Sequence, residues 1–587
     1  MKFLHTPPRF LFFTGKGGVG KTSIACAAAI HLARGGKRVL LVSTDPASNV
    51  GQVFGLSIGN TITDILTVPG LSALEIDPEQ AAEAYRERIV GPVRGLLPEK
   101  ELASITEQLS GSCTTEIASF NEFTALLTDH DAVVDFDHVL FDTAPTGHTI
   151  RLLQLPGSWT DFLNEGKGDA SCLGPLSGLE KQRTIYAEAV AALADPQRTR
   201  LVLVTRARRS PLAEIARTRT ELADIGLSHQ HVVVNGLLPE PEAGDELAAA
   251  IYQREQAALA GLPAELADLP LDVVELKATN MVGIDALESL FAAADTSAAP
   301  AAAPVGEVPE APLSALVDEL ADADHGLIMC MGKGGVGKTT LAAAIAVALA
   351  ERGHQVHLTT TDPAAHLTDT LDGSLDGLEV SRIDPAVATA KYRDRVLATK
   401  GAALDEQGRA TLAEDLASPC TEEVAVFQAF SRVIHESRRK FVVVDTAPTG
   451  HTLLLLDATG SYHREIARQM GDNANFTTPL MRLQNPEETK VLLVTLAETT
   501  PRLEAEGLQA DLQRAGITPW GWVVNNSLAA AHPTLDLLRR RAAVELPEID
   551  AITAAHPRVA IVPMLPAEPV GAPTLTTLTA AGTALTH

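Results

Sequence analysis

Short runs of β-branched and leucine residues recur along the chain, each followed by a turn and then by a longer stretch rich in alanine and leucine. Arg38-Val39-Leu40-Leu41-Val42, His138-Val139-Leu140-Phe141, Leu201-Val202-Leu203-Val204 and His231-Val232-Val233-Val234 are runs of this kind. Their apolar residues are consecutive rather than alternate, which is the pattern of a strand buried on both faces. Such strands alternating with helical stretches predict an α/β fold, a mostly parallel sheet with helices on both faces. Ligands of such a fold belong at the carboxyl ends of the strands.

The pattern occurs twice. Phe12-Phe13-Thr14-Gly15-Lys16-Gly17-Gly18-Val19-Gly20-Lys21-Thr22 returns as Met329-Cys330-Met331-Gly332-Lys333-Gly334-Gly335-Val336-Gly337-Lys338-Thr339, and Thr44-Asp45-Pro46-Ala47 returns as Thr361-Asp362-Pro363-Ala364. Cys113-Thr114-Thr115-Glu116 corresponds to Cys420-Thr421-Glu422-Glu423. The eight residues from Asp142 to Thr149 return letter for letter at Asp445 to Thr452, and Val233-Val234-Asn235 returns at Val523-Val524-Asn525. Five motifs in one order mean a tandem duplication. We expect an N-terminal half over 1–291, an Ala/Pro-rich linker over 292–312 that cannot build a core, and a C-terminal half over 313–587, related by pseudo-two-fold symmetry.

Composition narrows the function classes. The 587 residues carry a formal charge of −27, which disfavours a nucleic-acid binder because phosphate recognition needs a positive field. Hydrophobic residues at 45% support large cores, and aromatics at only 4% suit helices on parallel sheets better than an aromatic-rich sandwich. Five cysteines without dense spacing argue for a reducing cytosol rather than a disulfide framework. No apolar run reaches the ~20 residues of a membrane helix, and the start has no secretory leader pattern. A cytoplasmic protein is expected, with any membrane association peripheral.

Gly15-x4-Gly20-Lys21-Thr22 and Gly332-x4-Gly337-Lys338-Thr339 fit the P-loop pattern after an apolar strand and before an Ala-rich helix. The nucleotide-binding candidates are Gly15, Gly17, Gly18, Val19, Gly20, Lys21, Thr22 and Ser23, with Gly332, Gly334, Gly335, Val336, Gly337, Lys338, Thr339 and Thr340 in the repeat. Glycines let backbone N–H groups wrap phosphates at a helix N-terminus. Lys21 and Lys338 are expected to bridge the β- and γ-phosphates of ATP, and Thr22 and Thr339 to ligate Mg²⁺. Asp142 and Asp445, after apolar runs, can hold Mg²⁺, followed by a Thr-Ala-Pro-Thr-Gly loop able to sense the γ-phosphate. Asn235 and Asn525 can read an adenine edge.

Gly-Lys-Gly-Gly-Val-Gly-Lys-Thr resembles the deviant Walker A motif of the signal-recognition and MinD-type NTPases. That resemblance implies that the extra lysines, Lys16 and Lys333, contact phosphate across an interface of two halves, each serving the opposite site. It also implies that Asp45 and Asp362 are switch residues that orient the attacking water, which makes them additional magnesium candidates.

Cys113 and Cys420 occupy equivalent positions in the repeat, so a pseudo-two-fold arrangement places them symmetrically about the axis. Thiolates prefer soft ions, and Cys172, in a glycine-containing extra segment of the first half, is a candidate third ligand. Cys26 and Cys330 read as core residues. Over nearly its whole length the sequence resembles the tandem arsenite-efflux ATPase family, with Asp-Thr-Ala-Pro-Thr-Gly-His-Thr as its most specific mark. The family implies a metalloid-stimulated ATP hydrolase that takes up As(III) or Sb(III), docks on a membrane arsenite efflux protein and receives its cargo from an arsenic metallochaperone. It further implies His148, His451 and Ser418 as secondary metalloid ligands. The competing class is a targeting ATPase for tail-anchored membrane proteins, which usually joins single halves through a zinc CxxC; no CxxC occurs here. A partitioning or scaffolding ATPase would want a basic face or an amphipathic tail, and Thr574-Leu575-Thr576-Thr577-Leu578-Thr579 is neither.

Overall fold

The computed structural model describes the chain except residues 45–49, 95–101, 103–105, 107–108, 110–111, 130–132, 144–178, 243, 293–305, 363–366, 372, 417–419, 448–477 and 581–587. The described residues form two compact units. One comprises Met1–Pro239, Tyr252–Lys277 and Met281–Ala298, the other Glu240–Ile251, Ala278–Asn280 and Ala299–His587.

The first unit is built on eight strands: β1 Phe10–Thr14, β2 Val39–Ser43, β3 Thr63–Asp64, β4 Leu71–Glu75, β5 His138–Asp142, β6 Thr199–Thr205, β7 Gln230–Leu237 and β8 Leu271–Glu275. Their order across the sheet is β3-β4-β2-β5-β1-β6-β7-β8, and every pairing is parallel except the short edge pair β3 and β4. The second unit repeats the plan with β9 Gly326–Met331, β10 Val356–Thr360, β11 Leu378–Arg382, β12 Phe441–Asp445, β13 Thr489–Leu496, β14 Gly521–Ser527 and β15 Val559–Pro563. These run β11-β10-β12-β9-β13-β14-β15, all parallel. The expected α/β architecture with mostly parallel sheets is therefore present in each unit.

Consecutive residues of a strand point to opposite faces, and the two cores of the first unit follow from that. Phe10 and Phe12 of β1 enter one cluster with Leu40, Val42, Phe123 and Phe141, whereas Leu11 and Phe13 enter another with Ile24, Ile30, Leu41 and Leu140. Both faces are covered, which is why the strands read as unbroken apolar runs. The helix Lys338–Glu351 of the second unit is buried along nearly its entire length, from Leu341 to Ala350. Its six alanines let the backbone lie close on the sheet, and an apolar surface all round is what a fully covered helix requires. Cys26 and Cys330 are buried in these cores, as expected, and burial pushes both thiols well above their usual range.

The expected linker spans 292–312, of which Ala292 and 306–312 are described. There the Ala311 carbonyl accepts a hydrogen bond from the Ile561 N–H of β15 at 2.7 Å, and the helix Leu313–Ala321 follows.

Candidate functional site

β1 is central, flanked by β5 and β6, and the chain leaves it through Gly15–Gly20 into the helix Lys21–Arg34. β9 does the same through Gly332–Gly337 into Lys338–Glu351. Each loop therefore ends on a helix N-terminus, where free N–H groups and the helix dipole favour a phosphate. Two glycines in each loop leave no room for a side chain. A Cβ on Gly15 would lie 2.1 Å from the Val204 carbonyl oxygen, and one on Gly332 would lie 2.2 Å from that of Val494. Gly20 and Gly337, at φ 90° and 94°, cap the two helices in the left-handed region, and a Cβ there would meet the amide nitrogens of Asn235 and Asn525 at 2.2 and 2.1 Å.

Those asparagines brace the loops. Asn235 donates from Nδ2 to the Val19 carbonyl at 2.9 Å, and Asn525 donates to the Val336 carbonyl at 2.8 Å. Lys21 and Lys338 are almost completely buried; Lys21 Nζ donates to the Lys16 carbonyl at 3.4 Å and Lys338 Nζ to the Lys333 carbonyl at 2.9 Å. The lysine that would hold phosphate is thus curled back into its own loop.

Asp142 and Asp445 are the last residues of β5 and β12 rather than the first residues beyond them, and both are buried. Thr22 Oγ1 donates to Asp142 Oδ2 at 2.7 Å, and Thr339 Oγ1 donates to Asp445 Oδ2 at 2.8 Å. In the second unit the Thr360 hydroxyl also donates to Asp445 Oδ2, at 3.1 Å, and accepts from the Asp362 N–H at 3.0 Å. One hydroxyl therefore links the candidate water-orienting residue to the candidate magnesium carboxylate. Burial raises Asp445 to about 6, partly offset by the Lys338 ammonium and the Thr339 hydroxyl. Its Oδ1 is buried and makes no hydrogen bond among the described residues. A carboxylate with one orphaned oxygen beside a threonine hydroxyl at a P-loop suits Mg²⁺, which takes hard oxygen ligands and keeps several waters.

The sequence did not mark everything that shapes the site. Thr143 and Thr446, immediately after the aspartates, donate to the Phe13 and Cys330 carbonyls, each at 2.8 Å, and so tie the start of the following loop to the P-loop strand. Lys16 Nζ lies 3.0 Å from Ser210 Oγ and 3.1 Å from Glu214 Oε2, and Lys333 Nζ pairs with Glu504. A signal for the last two was present: Ser210-Pro211-x-x-Glu214 and Thr500-Pro501-x-x-Glu504 share a pattern at the spacing that also relates Asn235 to Asn525.

Cys113 is the second residue of the helix Ser112–Thr128 and Cys420 the first of Cys420–Glu436, equivalent helix starts in the two units. Asp45, His148, Cys172, Ser418 and His451 lie outside the described residues.

A doubly covered parallel sheet with a P-loop on its central strand and an acidic residue ending the adjacent strand defines a P-loop nucleoside triphosphatase, present here twice. The model of a family described as anion-transporting ATPase matches residues 8–294 and 325–482. The arsenical pump-driving ATPase of Acidiphilium multivorum is 64% identical over 577 residues, spanning 97% of this chain and 98% of that protein. The protein of the same name from Escherichia coli is 64% identical over 574 residues, again 97% and 98%. ATPase get3 of Schizosaccharomyces pombe is 29% identical over 49% of this chain and 90% of its own length. The chain belongs to the anion-transporting ATPase family and is an ATP hydrolase. Among the described residues, no helix is long and apolar enough to cross a membrane.

Proposed function

We propose that this chain is the ATPase that drives an arsenical pump, hydrolysing Mg·ATP at two P-loops and coupling hydrolysis to extrusion of arsenite or antimonite by a membrane efflux protein. The observation that carries this reading is 64% identity to arsenical pump-driving ATPases across essentially the whole of both chains, with both P-loops complete. A carrier of tail-anchored proteins is disfavoured, since the resemblance to that class implies single halves joined through a zinc CxxC, and this chain carries both halves in tandem and no CxxC.

The residues divide the work as follows. The glycine-rich loops and the helix starts at Lys21 and Lys338 hold the β- and γ-phosphates, and the two lysines exchange a loop carbonyl for phosphate oxygens when ATP binds. Thr22 with Asp142, and Thr339 with Asp445, hold Mg²⁺, which neutralises charge developing on the phosphate oxygens when bound. Asp45 and Asp362 orient the water that attacks the γ-phosphorus, Asp362 being positioned through the Thr360 hydroxyl. Asn235 and Asn525 keep each loop in its binding shape, and their carbonyl oxygens serve as acceptors for an adenine amino group. Lys16 and Lys333 supply positive charge to the transition state.

As(III) or Sb(III) binds the thiolates of Cys113 and Cys420, with Cys172, His148, His451 and Ser418 as further ligands, and the bound metalloid favours the hydrolytically competent state. The chain acts at the cytoplasmic face of the membrane, and an arsenic metallochaperone delivers the cargo. Equilibrium binding of antimonite tests the ligand set. Wild type is expected to bind it and Cys113→Ser/Cys420→Ser to lose it; equal binding by both proteins refutes the cysteine site.

A further inference from the structure

The P-loop signature lysines are held within their own units. Lys16 Nζ lies on Glu214 and Ser210, and Lys333 Nζ lies on Glu504. Glu214 and Glu504 are repeat-equivalent, each three residues after a proline in the first turns of the helices Arg209–Asp224 and Thr499–Arg514, which follow β6 and β13. The two glutamate side chains are only 7% exposed, whereas the lysines are 32% and 26% exposed. The same arrangement in both units, built from segments about 170 to 200 residues from the loop, is not a chance surface pair, which would lie exposed on both sides.

The contact is also coupled to the phosphate lysine. The Lys16 side chain is anchored on Glu214 while its carbonyl accepts the Lys21 ammonium, and Lys333 stands in the same relation to Glu504 and Lys338. A lysine held on a nearly buried carboxylate has its charge neutralised, so it cannot stabilise a phosphate until it leaves. Leaving exposes it to water readily, because a quarter to a third of it is already solvated, but takes a positive charge away from a glutamate that water hardly reaches.

We propose that Glu214 and Glu504 are positioning residues that latch the signature lysines in a resting state, so that hydrolysis requires each lysine to be exchanged from a glutamate to phosphate. The latch suppresses turnover in the absence of activating ligand and sets how much binding energy that ligand must supply. It rests on the proposed role of Lys16 and Lys333 in stabilising the transition state.

The test is steady-state ATP hydrolysis by the full chain carrying Glu214→Gln, Glu504→Gln or both, with and without antimonite. Glutamine keeps the size and one acceptor but removes the charge. The expected result is an unstimulated kcat roughly tenfold higher, equivalent to ~1.4 kcal/mol, with the KM for ATP and the thermal midpoint little changed and the antimonite-stimulated kcat unchanged. Adding Lys16→Ala and Lys333→Ala is expected to abolish the gain, because the released lysines produce it. An unstimulated rate at or below that of wild type, with stimulation intact, overturns the latch. Should the glutamine variants fold poorly, Ser210→Ala removes one partner of Lys16 without touching the buried carboxylate; a rise of about two- to threefold is expected from loss of one hydrogen bond, and no rise overturns the proposal. If wild type shows no response to antimonite, the pump reading fails, yet the higher basal rate of the glutamine variants still reports the latch by itself.

Discussion

The bracing of each P-loop by an asparagine can be put to a double-mutant cycle. In Gly20→Ala the new Cβ would sit 2.2 Å from Asn235 Nδ2, about 1 Å inside normal contact, at a φ of 90°. A left-handed alanine costs about 1–2 kcal/mol. The Asn235 amide can swing aside, being a side-chain tip, but it then gives up its 2.9 Å bond to the Val19 carbonyl, worth roughly 1 kcal/mol. The sum is about 2–3 kcal/mol for holding the loop in its phosphate-binding shape, which corresponds to roughly a 30- to 150-fold weaker Kd for an ATP analogue. Asn235→Ala alone removes the same bond and is expected to cost about 1–2 kcal/mol. The double variant loses that bond only once and has no clash, so it should cost about 2–4 kcal/mol, about 1 kcal/mol less than the additive 3–5 kcal/mol. Titration of a fluorescent, non-hydrolysable ATP analogue, in a chain whose second site is disabled by Lys338→Ala, measures all corners of the cycle. Strict additivity would refute the bracing role, because it would mean that Gly20 and Asn235 act on the nucleotide independently.

Two further outcomes follow from the geometry. Asp445→Asn removes the charged partner of Thr339 and the orphaned oxygen assigned to Mg²⁺; Mg²⁺-dependent hydrolysis at the second site is expected to fall at least about 10- to 100-fold while Mg²⁺-free nucleotide binding changes little, and equal loss of both would refute the assignment. Glu545 accepts from the Leu528 and Ala529 N–H groups and the Ser527 hydroxyl, yet burial raises it from 4.5 to about 7. A raised folded-state value means that the stability it contributes is complete below pH 4.5 and is lost as pH rises toward about 7, by up to ~3 kcal/mol. Thermal denaturation of Glu545→Gln should therefore show a flatter decline between those pH values than wild type, and parallel curves would contradict the assignment.

What could be read in the sequence was what is written locally or twice. The P-loop glycines, Thr22 and Thr339, and the aspartates at strand ends each carry a short motif, and duplication confirmed each against its copy. Consecutive apolar residues gave the doubly covered strands because parallel sheets bury both faces. Boundaries slipped by a residue where a strand continued into its polar terminus, as at Asp142 and Asp445. The side-chain pairing of Asn235 with Val19 and of Lys16 with Glu214 joins residues 216 and 198 positions apart, and no periodicity encodes which of many polar groups a fold will bring together. The raised carboxyl of Asp445 was equally hidden, since burial depth depends on packing from every side.

Activation of ATP hydrolysis by metalloid is measured most directly as the steady-state ATPase rate of the wild-type chain titrated with antimonite at saturating Mg·ATP. Saturable stimulation that disappears in Lys21→Ala/Lys338→Ala is the expected result. A rate indifferent to antimonite at every concentration would contradict the pump reading and leave an ATPase with some other task.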